Sequence, residues 1–351
     1  MKNIKYLLLF EILILSSCND TNPRLKEQLL IPDFPKKEKI EAEYILLPII
    51  IAPTFFEIQA NFLCTYSLRK DTIIDLFSLP DLIYTKSFGT KGRGPNEFQH
   101  YPWPCKSTND FLYIRGYTPL IIKQFSINPS LDLEQMNEWI LEEYETFGSM
   151  HIVQDSLLIY LSMGYQTERT EQISIKKYNL IKRQETGKII IPTTSPENAS
   201  IDPNRAGGFD VNDSYIVYSY LFKKQIDIYD IHSMQLICRL KDNDRKSRVI
   251  LNSEHFFENI PHYSGVKAGR KYFYAIYNKK GLKFHEFEPA SQTIEVFDYN
   301  GNAIVEYSFD DFISMCALDE VTHTLYAYDI TKEYFILKYD LPEIERDVDE
   351  R

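Results

Sequence analysis

The chain predicts an all-β fold, a six-bladed β-propeller whose ring is closed by an N-terminal strand pairing with the last blade. Three observations lead there. One short motif recurs six times at nearly even spacing, a second strand signal precedes every copy, and the last copy lies too close to the C-terminus to be followed by a full outer strand.

The motif reads Ile-x-x-aromatic-(Asp/Asn/Ser)-apolar. Its aromatic anchors are Phe77, Phe125, Tyr178, Tyr229, Phe297 and Tyr339, at intervals of 48, 53, 51, 68 and 42 residues. That is near the ~40–50-residue period of propeller blades. The long interval marks an insertion around 241–262. Upstream of the anchors, segments 62–66, 111–114, 157–161, 215–220, 272–277 and 325–328 mix aromatic and aliphatic residues as strands do. Turns introduce most of them, at Asn109-Asp110, Asn212-Asp213, Gly269-Arg270 and Asp319-Glu320. Downstream, Asn300-Gly301 predicts a type I′ hairpin turn, and Pro80-Asp81 and Asn128-Pro129 also break the chain. Small antiparallel sheets repeated radially protect one another's edges, and stacked solenoids generally use shorter repeats.

Closure follows from the ends. Tyr339 is twelve residues from the C-terminus, too few for a well-formed fourth strand. Residues 39–47 alternate apolar Ile40, Ala42, Tyr44 and Leu46 with charged Lys39, Glu41 and Glu43, the period of a half-buried strand, and are expected to pair with the last blade. One segment is ambiguous. Leu133, Met136, Ile140, Tyr144 and Phe147 fit a helical face after Ser130 as N-cap, while 139–141 fit the outer strand of blade 2; the repeat requires the strand.

The N-terminus carries its own signal. Lys2 and Lys5 precede an apolar stretch, 6–15, too short to span a bilayer, which reads as a signal peptide over 1–17. Leu15-Ser16-Ser17-Cys18 resembles the bacterial lipobox, in which the chain is cut before a cysteine that is then acylated; several acyl chains give stable anchoring. Asn19 after that cysteine implies, as in lipoproteins generally, the outer membrane, facing the periplasm or the cell surface. Residues 18–35, with Pro23, Pro32 and Pro35, read as a tether, and 36–345 as the propeller.

Charge excludes one class of partner. The net charge is −11, and removal of 1–17 takes away two lysines and one glutamate, leaving −12. With no basic stripe to offset it, such a chain is not expected to bind nucleic acid. Cys64, Cys105, Cys238 and Cys316 show no CxxC or zinc-finger spacing, and most sit in apolar runs, so buried free thiols are expected, although export permits disulfides.

The lipobox, the six anchors and Phe88-Gly89-Thr90-Lys91-Gly92-Arg93-Gly94-Pro95-Asn96-Glu97-Phe98 together resemble the TolB-like six-bladed propeller lipoproteins of Bacteroidetes. In that family a G-x-G-P-x-E-F stretch links the outer strand of one blade to the inner strand of the next, and residues 92–98 match it. The resemblance spans nearly the whole chain and implies fold and export. It implies no activity, since the family has no settled biochemical function; related propellers serve mainly as binding platforms. Asp71-Thr72-Ile73 and Asp155-Ser156-Leu157 resemble the D-(S/T)-aliphatic sites of Bacteroidetes protein O-glycosylation, on Thr72 and Ser156.

Motifs of catalysis are sparse. Gly89, Gly92 and Gly94 lack the GxxxxGK(S/T) spacing of a phosphate loop, and neither GxSxG nor HExxH occurs. Asp242-Asn243-Asp244 lacks the glycine of a calcium loop, and the seven histidines are scattered. No catalytic residue, metal ligand or cofactor is assigned. The alternative is a metal-dependent, lactonase-like hydrolase, with oxygen ligands pointing into the central channel from the innermost strands. Those strands are expected near 55–58, 102–106, 150–153, 208–211, 264–267 and 314–318. They offer Glu57, His151 and Asp210, but chiefly Cys105, Val266 and Met315 elsewhere, too few polar groups for such a cage. The preferred expectation is a non-catalytic binding or scaffolding propeller with a protein or glycan partner in the cell envelope. The insertion supplies its candidate ligand-binding residues, Arg245, Arg248, Phe256 and Phe257, beside Lys246 and Tyr263.

Overall fold

A computed structural model of the protein describes residues 26–49, 51, 53–67, 71–92, 94, 97–98, 102–116, 120–141, 147–162, 173–191, 207–242, 255, 258–279, 281–283, 286, 291–332 and 334–344. Three short strands come first: β1 (Lys26–Leu30), β2 (Lys37–Lys39) and β3 (Glu43–Leu46). Blade 1 comprises β4 (Phe55–Gln59), β5 (Phe62–Tyr66), β6 (Thr72–Ser78) and β7 (Ile83–Lys91), with the two-residue β8 (Glu97–Phe98) beside β7. Blade 2 is β9 (Trp103–Ser107), β10 (Leu112–Gly116), β11 (Leu120–Ile127) and β12 (Leu133–Leu141). Blade 3 is β13 (Phe147–Val153), β14 (Leu157–Ser162), β15 (Ser174–Asn179) and β16 (Gln184–Ile190). Blade 4 is β17 (Gly207–Val211), β18 (Tyr215–Tyr220), β19 (Gln225–Asp230) and β20 (Leu236–Lys241). Blade 5 is β21 (Tyr263–Ala268), β22 (Tyr272–Asn278), β23 (Gln292–Asp298) and β24 (Ala303–Ser308). Blade 6 has only β25 (Met315–Asp319), β26 (Thr324–Tyr328) and β27 (Phe335–Asp340) from its own stretch of chain.

The spacing of the repeated motif explains how blades pack. Side chains alternate along a strand, so residues three apart point to opposite faces. In every third strand the isoleucine packs toward the following blade and the aromatic toward the preceding one. Phe77 packs with blade 6, Phe125 with blade 1, Tyr178 with blade 2, Tyr229 with blade 3, Phe297 with blade 4 and Tyr339 with blade 5. The core is therefore six apolar wedges between blades rather than one central mass.

A second repeated device accompanies the aromatic. In blades 1 to 5 the outer strand carries one extra residue just opposite the anchor: Thr85, Met136, Thr186, Ile237 or Ile304. Such bulges increase twist and bend the outer edge. The outer strand of blade 6 is β3, paired antiparallel with β27 from Phe335↔Leu46 to Lys338↔Glu43, and it shows no register shift. The closure expected for 39–47 is thus made by 43–46. A polar clasp holds it. Asp311 accepts hydrogen bonds from Tyr44 of β3, from Tyr339 Oη at 2.8 Å and from Lys332 Nζ at 2.5 Å.

Three expectations are corrected. Residues 26–35 do not form a free tether: β1 pairs parallel with β20, β2 pairs parallel with β24, and Leu29, Ile31 and Phe34 pack onto the wedge between blades 4 and 5. Lys39, read as part of the closing strand, belongs to β2. The turn after β23 is not type I′, because Gly301 (φ 86°) has a positive φ but Asn300 does not. Asp298 O accepts from Gly301 N at 3.1 Å and Asp298 N donates to Asn302 O at 3.1 Å. This is a three-residue loop with glycine in the left-handed position, the arrangement such hairpins use. A Cβ on Gly301 would lie 2.8 Å from Cys238 Sγ, so space demands glycine as well. The ambiguous segment after Ser130 is the strand β12, as the repeat requires.

Candidate functional site at the central channel

The innermost strands β4, β9, β13, β17, β21 and β25 fall where the sequence places them. Two ion pairs skip a blade and so span the channel. Lys106 Nζ of blade 2 donates to Asp210 Oδ2 of blade 4 at 2.5 Å, and Lys267 Nζ of blade 5 donates to Glu57 Oε2 of blade 1 at 2.8 Å. Asp210 is the hub. Its Oδ2 also accepts from Ala268 N at 2.8 Å, its Oδ1 accepts from Val211 N at 2.9 Å, and His151 Nδ1 stands 3.2 Å from Oδ1. Asp210 of blade 4 is thereby in contact with both neighbouring blades, 3 and 5, and with blade 2 beyond them.

The charge states follow from burial and neighbours. Burial alone would raise the Asp210 carboxyl, but the Lys106 and Lys267 ammonium groups outweigh it and hold it below the usual range. Burial lowers His151 to about 3, so the imidazole is neutral, and its ring meets Phe209 edge-on at 4.7 Å between centroids. Burial resists the charge on Lys267, yet Glu57 and the other anionic groups around it raise it overall. Cys316 lies within electrostatic reach of Lys267, Glu57, Asp210 and Lys106; burial pushes its thiol up to about 11, so it carries no thiolate at neutral pH. Two cations, two anions, a neutral imidazole and a thiol make the channel self-neutralising.

Glu57, His151 and Asp210 are brought to the channel together; His151 meets Asp210, while Glu57 is held by Lys267. Sequence reasoning missed Lys106, Lys267 and Cys316 by one residue each. It placed Cys105, Val266 and Met315 there, which instead pack into the wedges between blades. A shift of one residue in a strand exchanges its faces. A lysine is no cation ligand, so neither lysine belongs to the pattern of oxygen and imidazole groups expected at a cation-binding channel. Among the described residues, no group of three or more His, Cys, Asp or Glu could hold a metal ion.

Cys18, Arg245, Arg248, Phe256 and Phe257 lie outside the described residues. Tyr263, read beside the last four, is fully buried in β21 and donates to Glu295 Oε2 at 2.7 Å. Thr72 is half-buried at the start of β6, and Ser156 is half-buried in the turn between β13 and β14. Cys64, Cys105, Cys238 and Cys316 are all buried, and Cys105 is pushed up to about 12 by burial. The glycine-rich stretch joins β7 to β8 and then to β9. Glu97 Oε2 accepts from Gly94 N at 2.7 Å and would stand 1.9 Å from a Cβ on Gly92. The glutamate fills the loop, and glycine gives it room.

Six radial blades, a borrowed closing strand and an ion-paired channel define a β-propeller with no open cation cage among its described residues. The chain belongs to the TolB-like 6-blade propeller-like family, which it matches over residues 33–321. Among solved structures, a Bacteroides fragilis NCTC 9343 protein described as exported is similar over 87% of this chain and 98% of its own, at 12% identity and a TM-score of 0.55. The WD40 repeats of RRP9 are similar over 82% of this chain and 79% of theirs, at 7% identity and a TM-score of 0.46, too weak a likeness to argue from. No curated protein matches the chain.

Proposed function

We propose that the chain is an exported lipoprotein, anchored through Cys18 in the outer membrane, that binds or scaffolds an envelope partner and performs no catalysis. The observation that carries the non-catalytic part is the pairing of Glu57 with Lys267 and of Asp210 with Lys106 across the channel. A hydrolytic cation would have to displace ammonium groups already seated on both carboxylates, at a large electrostatic cost. The anchoring part rests on the lipobox at 15–18, and the export of the similar B. fragilis chain is in keeping with it.

Two measurements test the reading. Cys18→Ala should shift the protein out of the detergent-extracted membrane fraction or leave the precursor uncleaved; unchanged processing and partitioning would remove the anchor. Pull-down of the lipidated protein from its native envelope should recover a protein or glycan partner. Calcium-dependent hydrolysis of lactones or esters, lost in Asp210→Asn, would instead establish the hydrolase.

A further inference from the structure

We propose that the outer edge of blade 2 receives an extended, cationic segment of another envelope protein as a fifth strand, parallel to β12. The inference rests on reading the chain as a binding propeller and says where it binds and what it recognises.

Outer edges in this molecule are covered in a consistent way. β8 lies parallel on β7, β1 on β20 and β2 on β24, and β3 completes blade 6. Among the described residues nothing pairs with the outer side of β12, a nine-residue strand as long as β7. An open strand of that length is a template for another chain. Its exposed side chains are Glu134, Gln135, Met136, Asn137, Glu138 and Ile140, with Met136 and Ile140 each 50% accessible. Blade 3 is the poorer candidate. Its outer strand β16 has seven residues, and Met234 of blade 4 lies against it, 2.8 Å from where a Cβ on Gly187 would stand.

The molecule also supplies the template for the occupant's chemistry. In β2, Lys37 stands opposite Glu306 of the outer strand, and Lys39 pairs with Asp310 at 2.6 Å. A lysine-bearing segment therefore adds in parallel to a carboxylate-bearing edge. β12 offers Glu134 and Glu138, and the ion pair that Glu138 makes with Lys123 is long at 3.9 Å. Because Met136 is the bulge, Glu134 shares a face with Ser126 and Glu138 the opposite face with Lys123; an incoming strand meets both carboxylates with cationic side chains three positions apart, one on each face. At the N-terminal end of β12 a cavity of about 190 Å³ opens between blades 1 and 2, with Phe88, Phe98, Phe125, Leu131 and Leu133 as its apolar lining and Lys86, paired with Asp132, as its polar one. A parallel segment runs in the direction of β12, so the residue entering that cavity is an apolar one at the segment's own N-terminal end.

The probe is a fluorescein-labelled peptide with an N-terminal phenylalanine followed by two lysines three positions apart among valines; its counterpart with glutamates in place of the lysines is the control. Fluorescence anisotropy with the full folded chain should show saturable binding of the lysine peptide only. Glu134→Lys with Glu138→Lys should weaken it by about tenfold or more with an unchanged melting temperature. Asp213→Lys with Glu343→Lys, the same change in net charge at remote exposed sites, should leave binding intact. Hydrogen exchange on peptide addition should slow at 134–140. Absence of binding, equal loss in both double variants, or slowing elsewhere overturns the inference, as does self-association that buries β12. A native partner whose capture ignores the β12 substitutions leaves the binding reading standing and overturns this site; recovery of no partner overturns the reading itself.

Discussion

Inner and outer edges of the blades meet different physical conditions. At the channel six strands converge and the charged side chains are largely buried, so a charge there must find its counterion in another blade. Asp210 has a side chain only 3% exposed and touches Lys106, His151 and the amide of Ala268, all from other blades. At the rim the strands diverge and face water, so each edge is either covered by an added strand or left open. Blades 4 and 5 are covered by the N-terminal arm, whereas β12 of blade 2 is not covered by any described residue. The comparison teaches that polar residues at the centre join blades, while those of β12 at the rim stay exposed to water.

The largest expected effect comes from removing the arm. Deleting 36–48 takes away β2 and β3, removes Tyr44 from the clasp on Asp311 and leaves blade 6 with three strands and a bare edge. Size-exclusion chromatography and thermal melts should show aggregation or loss of the folded monomer. A stable monomer after this deletion would mean that the ring does not depend on its borrowed strand.

Next comes the hub of the channel. Asp210→Ala leaves Lys106 without its counterion, and breaking a buried pair from one side costs about 3–5 kcal/mol. Urea denaturation should register that loss. A cost below about 1 kcal/mol, the range of surface ion pairs, would place the channel charges in effective contact with water and erase the contrast with the rim.

A titration tests the same contrast more finely. The folded value of His151, about 3, lies below its unfolded value of 6.5, because burial disfavours the imidazolium. The stability this contributes is complete above pH 6.5 and is lost as pH falls from there toward 3. The slope is at most about 1.4 kcal/mol per pH unit. His151→Gln should flatten the fall in melting temperature between pH 6.5 and 4.5. Asp210 and Asp311, held low, add their own losses only below the normal carboxylate range. An identical profile in the variant would show that His151 does not carry the acid sensitivity.

The smallest expected effect is at the rim. Glu134→Lys with Glu138→Lys should change stability by less than about 0.5 kcal/mol, as exposed substitutions usually do. A drop comparable to Asp210→Ala would show that β12 is part of the packed fold rather than an open edge.

The candidate site was only partly legible in the chain. All six inner strands were located from the repeat, and Glu57, His151 and Asp210 lie on them. Lys106, Lys267 and Cys316 were lost to a shift of one residue, since nothing within a five-residue strand says which face meets the channel. The candidate ligand residues of the insertion fall outside the described residues, and the exposed carboxylates of β12 were hidden in a segment that also fitted a helix.

By itself the sequence determined what is local or periodic: the strand pattern, six anchors, the number of blades and a missing outer strand near the C-terminus. These follow from alternation along a strand and from the interval between repeats, both properties of neighbours in the chain. Only the tertiary structure decided which residue of each inner strand reaches the channel, that Lys106 meets Asp210 across an intervening blade, and that 26–39 run parallel along two outer edges. Those contacts join residues about a hundred or more positions apart. Their choice depends on register and ring geometry, which are fixed only once all six blades have packed.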